Sequence, residues 1–338
     1  MRIMVFDVPA ESGGALTILN QYYDAALNNT KIEWIFVVSN PKLKEQKNVR
    51  VLNYPWIKKS WFHRLYFDKF VAHKLVNKYE VNEVLSLQNV LVPKVQVKQT
   101  LYLHQPLPFV EKQYGITENF KFWVYQNVVN KMIYKSIRKA DKVIVQTKWI
   151  MNAAIRNANV EKEKFILKQP EFNVKVKKFY SKQDNEKVIF FYPSSGLEYK
   201  NHKVVVEAIR NLSNVFLDKC EVIFTLKGDE NKHIQELQKI IYNNSLPIKF
   251  IGSLSINEVY DYYSKSILIF PSYIETFGLP MLEAKMHKTP IIASHTSFSK
   301  EVLNGYEKVD YFPYDDPKAL ERLMKKHLIS QKQELYNS

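Results

Sequence analysis

Short apolar runs alternate along the first half of the chain with longer amphipathic stretches. The apolar runs predict strands at residues 2–6, 34–38, 49–52, 83–87, 100–104 and 143–146. The stretches between them have the spacing of helices with one apolar face, at residues 15–27, 61–79, 120–138 and 148–156. Strands and helices that alternate in this way form parallel sheets covered by helices, so the pattern predicts an α/β fold.

The second half repeats this alternation. Strands are predicted at residues 188–192, 221–226, 248–251, 267–270 and 290–293. Helices are predicted at residues 200–211, 230–243, 256–264, 279–286, 298–303 and 317–328. Between the halves, residues 161–186 are charged, include Pro170 and have no helical period, which is typical of a connection between domains.

The length of 338 residues supports this division, because it fits two domains of roughly 150 residues better than a single core. We predict a Rossmann-like domain over residues 1–165, a linker over residues 166–186 and a second Rossmann-like domain over residues 187–338. The two parallel-sheet domains are expected to face each other across a cleft.

Location and redox chemistry are constrained by features that the sequence lacks. No apolar run approaches the roughly 18 residues that span a bilayer, and residues 1–7 enter a strand-like pattern without the apolar segment of a secretion signal. These features predict a cytoplasmic protein. The single cysteine, Cys220, excludes an internal disulfide and a thiolate metal cluster, and it is expected to be a packing residue.

The chain is strongly basic, with a formal net charge of +15 and a pI of about 9.4, so anionic partners are expected. Between residues 42 and 80, ten Lys or Arg stand against three Asp or Glu and lie among the aromatic residues Tyr54, Trp56, Trp61, Phe62, Tyr66, Phe67 and Phe70. Residues 121–148 carry seven basic residues against one acidic residue, along a predicted helix with Phe122, Trp123, Val124, Val128, Met132, Ile133 and Tyr134.

These two basic aromatic segments allow two interpretations. Basic amphipathic helices with Trp and Phe lie in the headgroup plane of anionic membranes, which predicts peripheral attachment at the inner face of the cell membrane. Alternatively, the aromatic residues form the core of the first domain and the lysines form its solvated face. Sites for single-stranded nucleic acid have a similar composition, but no recognition-module signature accompanies it here, so no nucleic-acid partner is predicted.

The most informative candidate site is the stretch PSYIETFGLPMLEA at residues 271–284, which contains Glu275 and Glu283. It follows one predicted strand and leads into a predicted helix, whose Pro280 in the first turn loses no hydrogen bond. Ligands of parallel sheets bind at the carboxyl ends of strands, and a helix N-terminus attracts phosphate. Gly278 permits close backbone approach, and carboxylates accept pairs of hydroxyl hydrogen bonds. The stretch therefore predicts a site for a sugar nucleotide.

A simpler alternative exists for the two glutamates. Glu283 would only complement the dipole of its helix, and Glu275 would be a solvated loop residue. The strand, the glycine-containing turn and the helix that surround the pair favour the functional interpretation.

Further candidates follow other predicted strands. Gly13 and Gly14 open a helix after the first strand, where a backbone approaches a phosphate, although a tight turn explains the pair equally well. His104 ends a strand and is expected to project into the cleft. Candidates for binding the hydroxyls of an acceptor also lie at strand ends: Gln88, Asn89 and Gln105.

Lys200 begins a predicted helix after the loop at residues 193–196, where its ammonium group is suited to a diphosphate, beside Ser194 and Ser195. No Asp-x-Asp or paired-histidine arrangement follows a predicted strand, so no metal site is predicted. The charge of a leaving nucleoside diphosphate would then be met by Lys200, backbone amides and a helix N-terminus.

The stretch around Glu275 and Glu283 resembles the signature of glycosyltransferase family four, retaining sugar transferases of the GT-B fold, in which seven residues separate two glutamates. The resemblance runs from about residue 188 to residue 320 and includes YKNH at 199–202, KG at 227–228, IGSL at 251–254 and FPYDDP at 312–317. The first half matches through GG at 13–14 and LHQ at 103–105.

The resemblance implies roles for particular residues. Glu275, His104 and Lys200 would form the catalytic set, with Glu275 on the hydroxyls of the donor sugar. Glu283 would hold the ribose. The remaining donor-binding residues would be Gly14, Ser194, Ser195, Leu254, Phe277, Gly278 and Leu279. The chain departs from the family where an arginine usually precedes the lysine, because Ser195 occupies that place.

These features predict a metal-independent glycosyltransferase that moves a hexose or N-acetylhexosamine from a UDP- or GDP-linked sugar to an acceptor hydroxyl, and the resemblance implies that it is a retaining enzyme. The first domain would bind the acceptor, the second the donor, and their closure would complete the site. The basic segments suggest a lipid-linked acceptor in the synthesis of a bacterial surface polysaccharide, such as capsule or lipopolysaccharide. No cofactor is predicted. The alternatives are a hydrolase or epimerase of the same fold, and a non-catalytic module that binds nucleic acid or membrane.

Overall fold

The chain was analysed as a computed structural model that describes residues 1–11, 13–110, 112–170, 176–182 and 187–333. It divides into two compact units, Met1–Phe172 and Asn173–Ser338. The predicted linker, residues 166–186, lies partly outside the described residues.

The first unit is built on a parallel sheet. Its strands are β1 Arg2–Asp7, β2 Glu33–Val38, β3 Val49–Asn53, β4 Glu83–Ser86, β5 Lys98–Leu103, β6 Lys142–Val145 and β7 Phe165–Leu167, in the order β3-β2-β1-β4-β5-β6-β7. Its helices are α1 Gly13–Asn28, α2 Trp61–Tyr66, α3 Ala72–Lys78, α4 Phe120–Val124, α5 Asn130–Lys139 and α6 Lys148–Ala158. The strands and helices predicted for this half are confirmed.

Strand β7 was not predicted, because it lies in the charged stretch assigned to the connection. It is only three residues long, and none of its side chains is buried, so it forms no apolar run. It pairs with β6 alone and is an edge strand of the sheet.

The second unit repeats the architecture. Its strands are β8 Val188–Tyr192, β9 Cys220–Phe224, β10 Ile248–Phe250, β11 Ile267–Phe270, β12 Ile291–Ser294 and β13 Val309–Phe312, in the order β10-β9-β8-β11-β12-β13. Its helices are α7 His202–Arg210, α8 Asn214–Leu217, α9 Lys232–Asn243, α10 Ile256–Tyr263, α11 Leu279–Met286, α12 Ser297–Val302 and α13 Pro317–Gln333. The predicted strands are confirmed. The edge strand β13 was missed, since Asp310 interrupts its apolar run.

Two helices of the first unit contain a π-helical turn in their middle. Residues Phe67–Val71 join α2 to α3, and residues Tyr125–Val129 join α4 to α5. A π turn adds a residue to the helical repeat and so rotates the faces of the two flanking helices relative to each other.

The basic aromatic segments divide between core and surface. Several of their apolar side chains are buried or half-buried and pack within the first unit: Tyr54, Trp56, Phe67, Phe122, Trp123, Val124, Ile133 and Tyr134. Others are exposed: Trp61, Phe62, Tyr66, Phe70, Val128 and Met132. Neither interpretation of these segments therefore covers all of their apolar residues.

Both faces of the first sheet are covered. Met4 and Phe6 of β1 pack with Phe67 on one face, whereas Val5 packs with Leu19 of α1 on the other. Burial on both faces explains why its inner strands read as continuous apolar runs. The order of each sheet reverses beside its first strand, between β1 and β4 in one unit and between β8 and β11 in the other. In open α/β sheets, ligands bind at such switch points.

No helix in the described ranges combines the length and the apolar character needed to cross a bilayer.

Candidate functional site

The loops that follow β8 and β11 meet at the switch point of the second sheet. The first loop ends in a 3-10 turn, Glu198–Lys200, and then in Asn201, whose left-handed backbone (φ 60°) starts α7. The Asn201 side-chain amide donates to Pro271 O (3.3 Å) and Tyr314 O (2.7 Å), and the Tyr273 amide donates to Tyr199 O (3.2 Å). These bonds fix the two loops against each other.

Lys200 and Glu275 form an ion pair across these loops. Lys200 Nζ lies 2.5 Å from Glu275 Oε1, and the side chains are only 17% and 15% exposed. Ser272 Oγ lies 2.9 Å from the same oxygen. Charge-assisted bonds in such a partly desolvated setting orient both groups firmly. Both contacts use Oε1, and no hydrogen bond to Glu275 Oε2 is found among the described residues. A freely solvated Glu275 does not fit this geometry.

Glu283 lies in the second turn of α11 and is buried. Its Oε2 accepts a hydrogen bond from the hydroxyl of Tyr263, at the end of α10, at 3.0 Å. Burial raises the pKa of Glu283 above its usual value, and the Tyr263 bond opposes that shift. The two glutamates therefore occupy different settings, one in an ion pair and one beside a neutral phenol.

Gly278 is required by the fold itself. Its φ of +87° lies in the left-handed region, and a Cβ placed there would come within 2.6 Å of the Met281 methyl group. The glycine lets α11 start directly after a tight loop. Its neighbour Phe277 is buried, and Leu279 is the first residue of the helix.

The remaining donor residues predicted in this unit lie in the loops that follow β8 and β10. Ser194 follows β8, and its amide donates to Thr225 Oγ1 at 3.1 Å. Its hydroxyl lies 3.0 Å from Nε2 of the buried His202. Ser195 is exposed, and Leu254 is half-buried after β10.

In the first unit, Gly13 and Gly14 begin α1. Gly13 has a φ of +59°, and a Cβ at either glycine would meet no atom within 4 Å, so open space lies beside this backbone. His104 follows β5 and packs edge-on against Tyr102, with ring centroids 5.9 Å apart. Desolvation lowers the pKa of His104 to about 4, so its imidazole is neutral at physiological pH.

The predicted acceptor residues have distinct surroundings. Asn89 Oδ1 accepts from the amides of His104 (2.7 Å) and Gln105 (3.0 Å), and Gln105 Oε1 accepts from the Leu107 amide (3.2 Å). Both side-chain oxygens therefore accept hydrogen bonds from backbone amides of the following loop. Gln88 differs, because its buried Oε1 has no hydrogen-bond partner in the described part of the chain.

Several polar residues around these loops were given no role in the sequence analysis. They include Ser272 and Tyr263, which contact the two glutamates, and His202 behind Ser194. Asp7 ends β1 with both carboxyl oxygens buried and without a hydrogen bond of ordinary geometry among the described residues. Burial raises its pKa to about 8, against the lowering effects of the Ala10 amide, Arg64 and Lys58. The feature of the sequence that could have identified Asp7 is a carboxyl side chain at the end of an apolar strand.

Metal-ligating side chains do not gather at the site. Across the described ranges, no group of three or more His, Cys, Asp or Glu is placed to hold a metal ion.

Comparison with known proteins places this site in a family. Residues 173–337 match the family described as glycosyl transferases group 1. The O-antigen chain mannosyltransferase RfbU of Salmonella typhimurium is 25% identical over 263 residues, which cover 77% of this chain and 69% of RfbU.

Solved structures show the same fold over nearly the whole chain. Sucrose-phosphate synthase from Thermosynechococcus elongatus superposes with a TM-score of 0.73 at 16% identity, covering 98% of this chain and 90% of that enzyme. HepE of Anabaena, solved in complex with UDP, gives a TM-score of 0.68 at 14% identity, covering 98% and 91%. The expectations of fold class and family drawn from the residues are thereby confirmed. The second unit is therefore a domain of the glycosyl transferases group 1, and the chain is a glycosyltransferase with the GT-B fold.

Proposed function

We propose that the chain transfers a hexose or N-acetylhexosamine from a nucleoside-diphosphate sugar to an acceptor hydroxyl, with retention of configuration and without a metal ion. The observation that carries this proposal is the ion pair of Lys200 and Glu275 at the β8/β11 switch point. It brings together a fixed cation and a carboxylate suited to sugar hydroxyls, inside the region that matches the transferase family.

The proposed chemistry follows from where charge develops. When the glycosidic bond to the nucleotide breaks, negative charge grows on the leaving diphosphate. Lys200 and the N-terminus of α11 would stabilise that charge, because they are positioned before the reaction begins. Glu275 Oε2 would accept a hydroxyl of the donor sugar and hold the anomeric carbon in place. Retention rests on the family resemblance.

The donor is proposed to be linked to UDP or GDP. Glu283 would accept the ribose hydroxyls, and Ser194, Ser195, Leu254 and the turn at residues 277–279 would line the rest of the donor site. UDP in the HepE complex supports a nucleotide of this class, and the mannosyltransferase activity of RfbU supports a hexose.

Ligand-induced stabilisation tests the proposal directly. A nucleotide sugar at about 100 times its Kd should stabilise the fold by roughly 2.7 kcal/mol, so the correct UDP or GDP sugar will raise Tm. We expect this rise to persist in EDTA. A basic module without catalysis would show no rise with any nucleotide sugar. A hydrolase or epimerase would consume the donor at an undiminished rate without acceptor, whereas a transferase will require one.

The acceptor is proposed to be a lipid-linked oligosaccharide of a bacterial surface polysaccharide, bound by the first unit at the cytoplasmic face of the membrane. RfbU, which acts on O-antigen chains, supports this class of acceptor. Gln88 is the first-unit side chain proposed to contact it. Of the predicted acceptor residues, Gln88 alone keeps a buried oxygen without a partner in the described ranges.

An anionic membrane surface is the second proposed partner. The exposed aromatic residues of α2 and of the following π turn include Trp61, Phe62 and Tyr66, and Phe62 is 83% exposed. Trp61 contacts Tyr125 of the second basic segment at a centroid distance of 6.4 Å, so the two exposed segments adjoin. Lys59 and Lys69 lie among them and supply positive charge.

We expect Phe62→Ser to lower the affinity for anionic vesicles, measured by flotation, by more than tenfold. The reason is that burying one Phe side chain in the membrane is worth about 1.5–3 kcal/mol. Lys59→Glu combined with Lys69→Glu should act in the same direction, at about 1 kcal/mol for each lysine removed. Tyr242→Ser is the matched control, because that ring is 84% exposed on the second unit. Equal flotation of all variants would remove this surface from the proposal. Arg64 and Lys58 are poorer targets, because Asp68 and Glu11 already pair with them.

A further inference from the structure

His202 lies directly behind the loop that follows β8. Its ring packs between Tyr192 and Phe224, each at a centroid distance of 4.9 Å, and its side chain is buried. Nε2 lies 3.0 Å from Ser194 Oγ. Nδ1 is also buried and has no hydrogen-bond partner in the described part of the chain. The imidazole therefore has one polar contact, and that contact is with a residue of the proposed donor site.

The protonation of this ring follows from its surroundings. Burial lowers the pKa of His202 to about 3, and the positive charge of Lys200 acts in the same direction. The ring is therefore neutral and carries one proton. A proton on Nδ1 would bury a donor without an acceptor, which is rarer in proteins than an acceptor without a donor. The proton accordingly belongs on Nε2, which donates to Ser194 Oγ.

We propose that His202 is a positioning residue that makes the Ser194 hydroxyl a hydrogen-bond donor to the diphosphate of the sugar nucleotide. Because Oγ accepts from His202, its own proton points to another acceptor. Within the chain, Ser195 O is 3.5 Å away, at the limit of a hydrogen bond. Tyr192 Oη, which donates a hydrogen bond to Lys200 O at 2.8 Å, is a second acceptor near the Ser194 hydroxyl. A phosphate oxygen is a better acceptor than either.

This arrangement offers a physical account of a departure in the sequence. Where relatives of the resembled family usually carry an arginine before the lysine, this chain has Ser195. A neutral hydroxyl whose proton is oriented in advance gives the diphosphate part of the stabilisation that the charge of an arginine would give. The Ser194 amide is held by Thr225 Oγ1, so the serine has little freedom to turn away. The inference rests on the proposed function, because it needs a diphosphate at this loop.

Two amide variants of different reach test the inference. The amide nitrogen of His202→Gln takes the place of Nε2 and is expected to reach Ser194, whereas that of His202→Asn takes the place of Nδ1 and falls short. We expect Ser194→Ala and His202→Asn to raise the Kd for UDP or GDP by about ten- to a hundredfold, as for a lost bond to a charged group. His202→Gln should stay close to wild type. Affinity for the free nucleoside should not change in any variant.

The double variant Ser194→Ala/His202→Asn separates positioning from general support of the fold. If His202 acts through Ser194, the double variant will bind no more weakly than Ser194→Ala alone. A further loss in the double variant, or equal losses in the Gln and Asn variants, would overturn the inference. A wild-type chain that binds neither UDP nor GDP would instead overturn the proposed function. The Tm measured without ligand shows whether each variant is folded. If a histidine variant does not fold, Ser194→Ala alone still tests the role of the hydroxyl.

Discussion

Lys200→Ala is expected to lower kcat for sugar transfer by about 10²–10³-fold, the loss seen when one preorganised group is removed from a developing negative charge. The cation is held in advance, since Glu275 Oε1 fixes its ammonium at 2.5 Å and the pair is largely shielded from water. Removing it leaves the leaving diphosphate with uncharged donors only, the backbone amides and the Ser194 hydroxyl. KM should change less than kcat, because the charge is greatest in the transition state. Steady-state kinetics with the identified donor provides the measurement.

A double-variant cycle distinguishes this role from simple loop support. Glu275→Gln alone removes the counter-charge of Lys200 and the proposed contact of Glu275 with the sugar. Glu275→Gln together with Lys200→Ala should cost less than the sum of the single losses, because the two side chains act as one unit. Lys203→Ala is the control, since that lysine lies in the first turn of α7 and is largely exposed beside Glu207. A kcat of Lys200→Ala that matches this control would contradict the assignment.

Most of the fold could be predicted from the sequence, because the inner strands are buried on both faces and so form apolar runs. The same reasoning fails for β7 and β13, which are edge strands whose side chains are largely half-buried or exposed. The π turns at Phe67–Val71 and Tyr125–Val129 left no recognisable signal, because their residues also suit an ordinary α-helix. Their presence decides which aromatic side chains of these helices reach the surface.

The candidate site was predicted as separate residues and not as contacts. Lys200 and Glu275 are 75 positions apart, and their pairing depends on β8 and β11 being neighbours, which no local pattern reveals. The roles of His202 and Tyr263 could not be predicted from the sequence for a related reason. Each is important because it is buried beside one oxygen, Ser194 Oγ for His202 and Glu283 Oε2 for Tyr263. In the sequence, neither differs from the other His and Tyr residues. Asp7 directly follows an apolar run in the sequence, but its burial depends on the surrounding fold.

Glu283→Gln is expected to weaken nucleoside diphosphate binding by about ten- to a hundredfold while leaving the fold intact. The glutamine oxygen can still accept from Tyr263, and the buried charge is gone. Since burial raises the pKa of Glu283 in the folded chain, its ionisation costs stability as pH rises through that pKa, so the glutamine variant should be at least as stable at neutral pH. A change in Tm of the opposite sign would indicate a lost structural contact.

The nucleotide itself provides the sharper control for Glu283. If this carboxylate accepts the ribose hydroxyls, the wild-type chain will bind a 2′-deoxynucleoside diphosphate more weakly than the ribonucleotide, and Glu283→Gln will reduce that preference. Tyr263→Phe should keep it, because the phenol contacts the carboxylate and not the sugar. Acidification should lower the wild-type affinity, as a protonated carboxyl can no longer accept two hydroxyls, whereas the glutamine variant should show no such dependence. An unchanged ribose preference in Glu283→Gln would place the ribose elsewhere in the site.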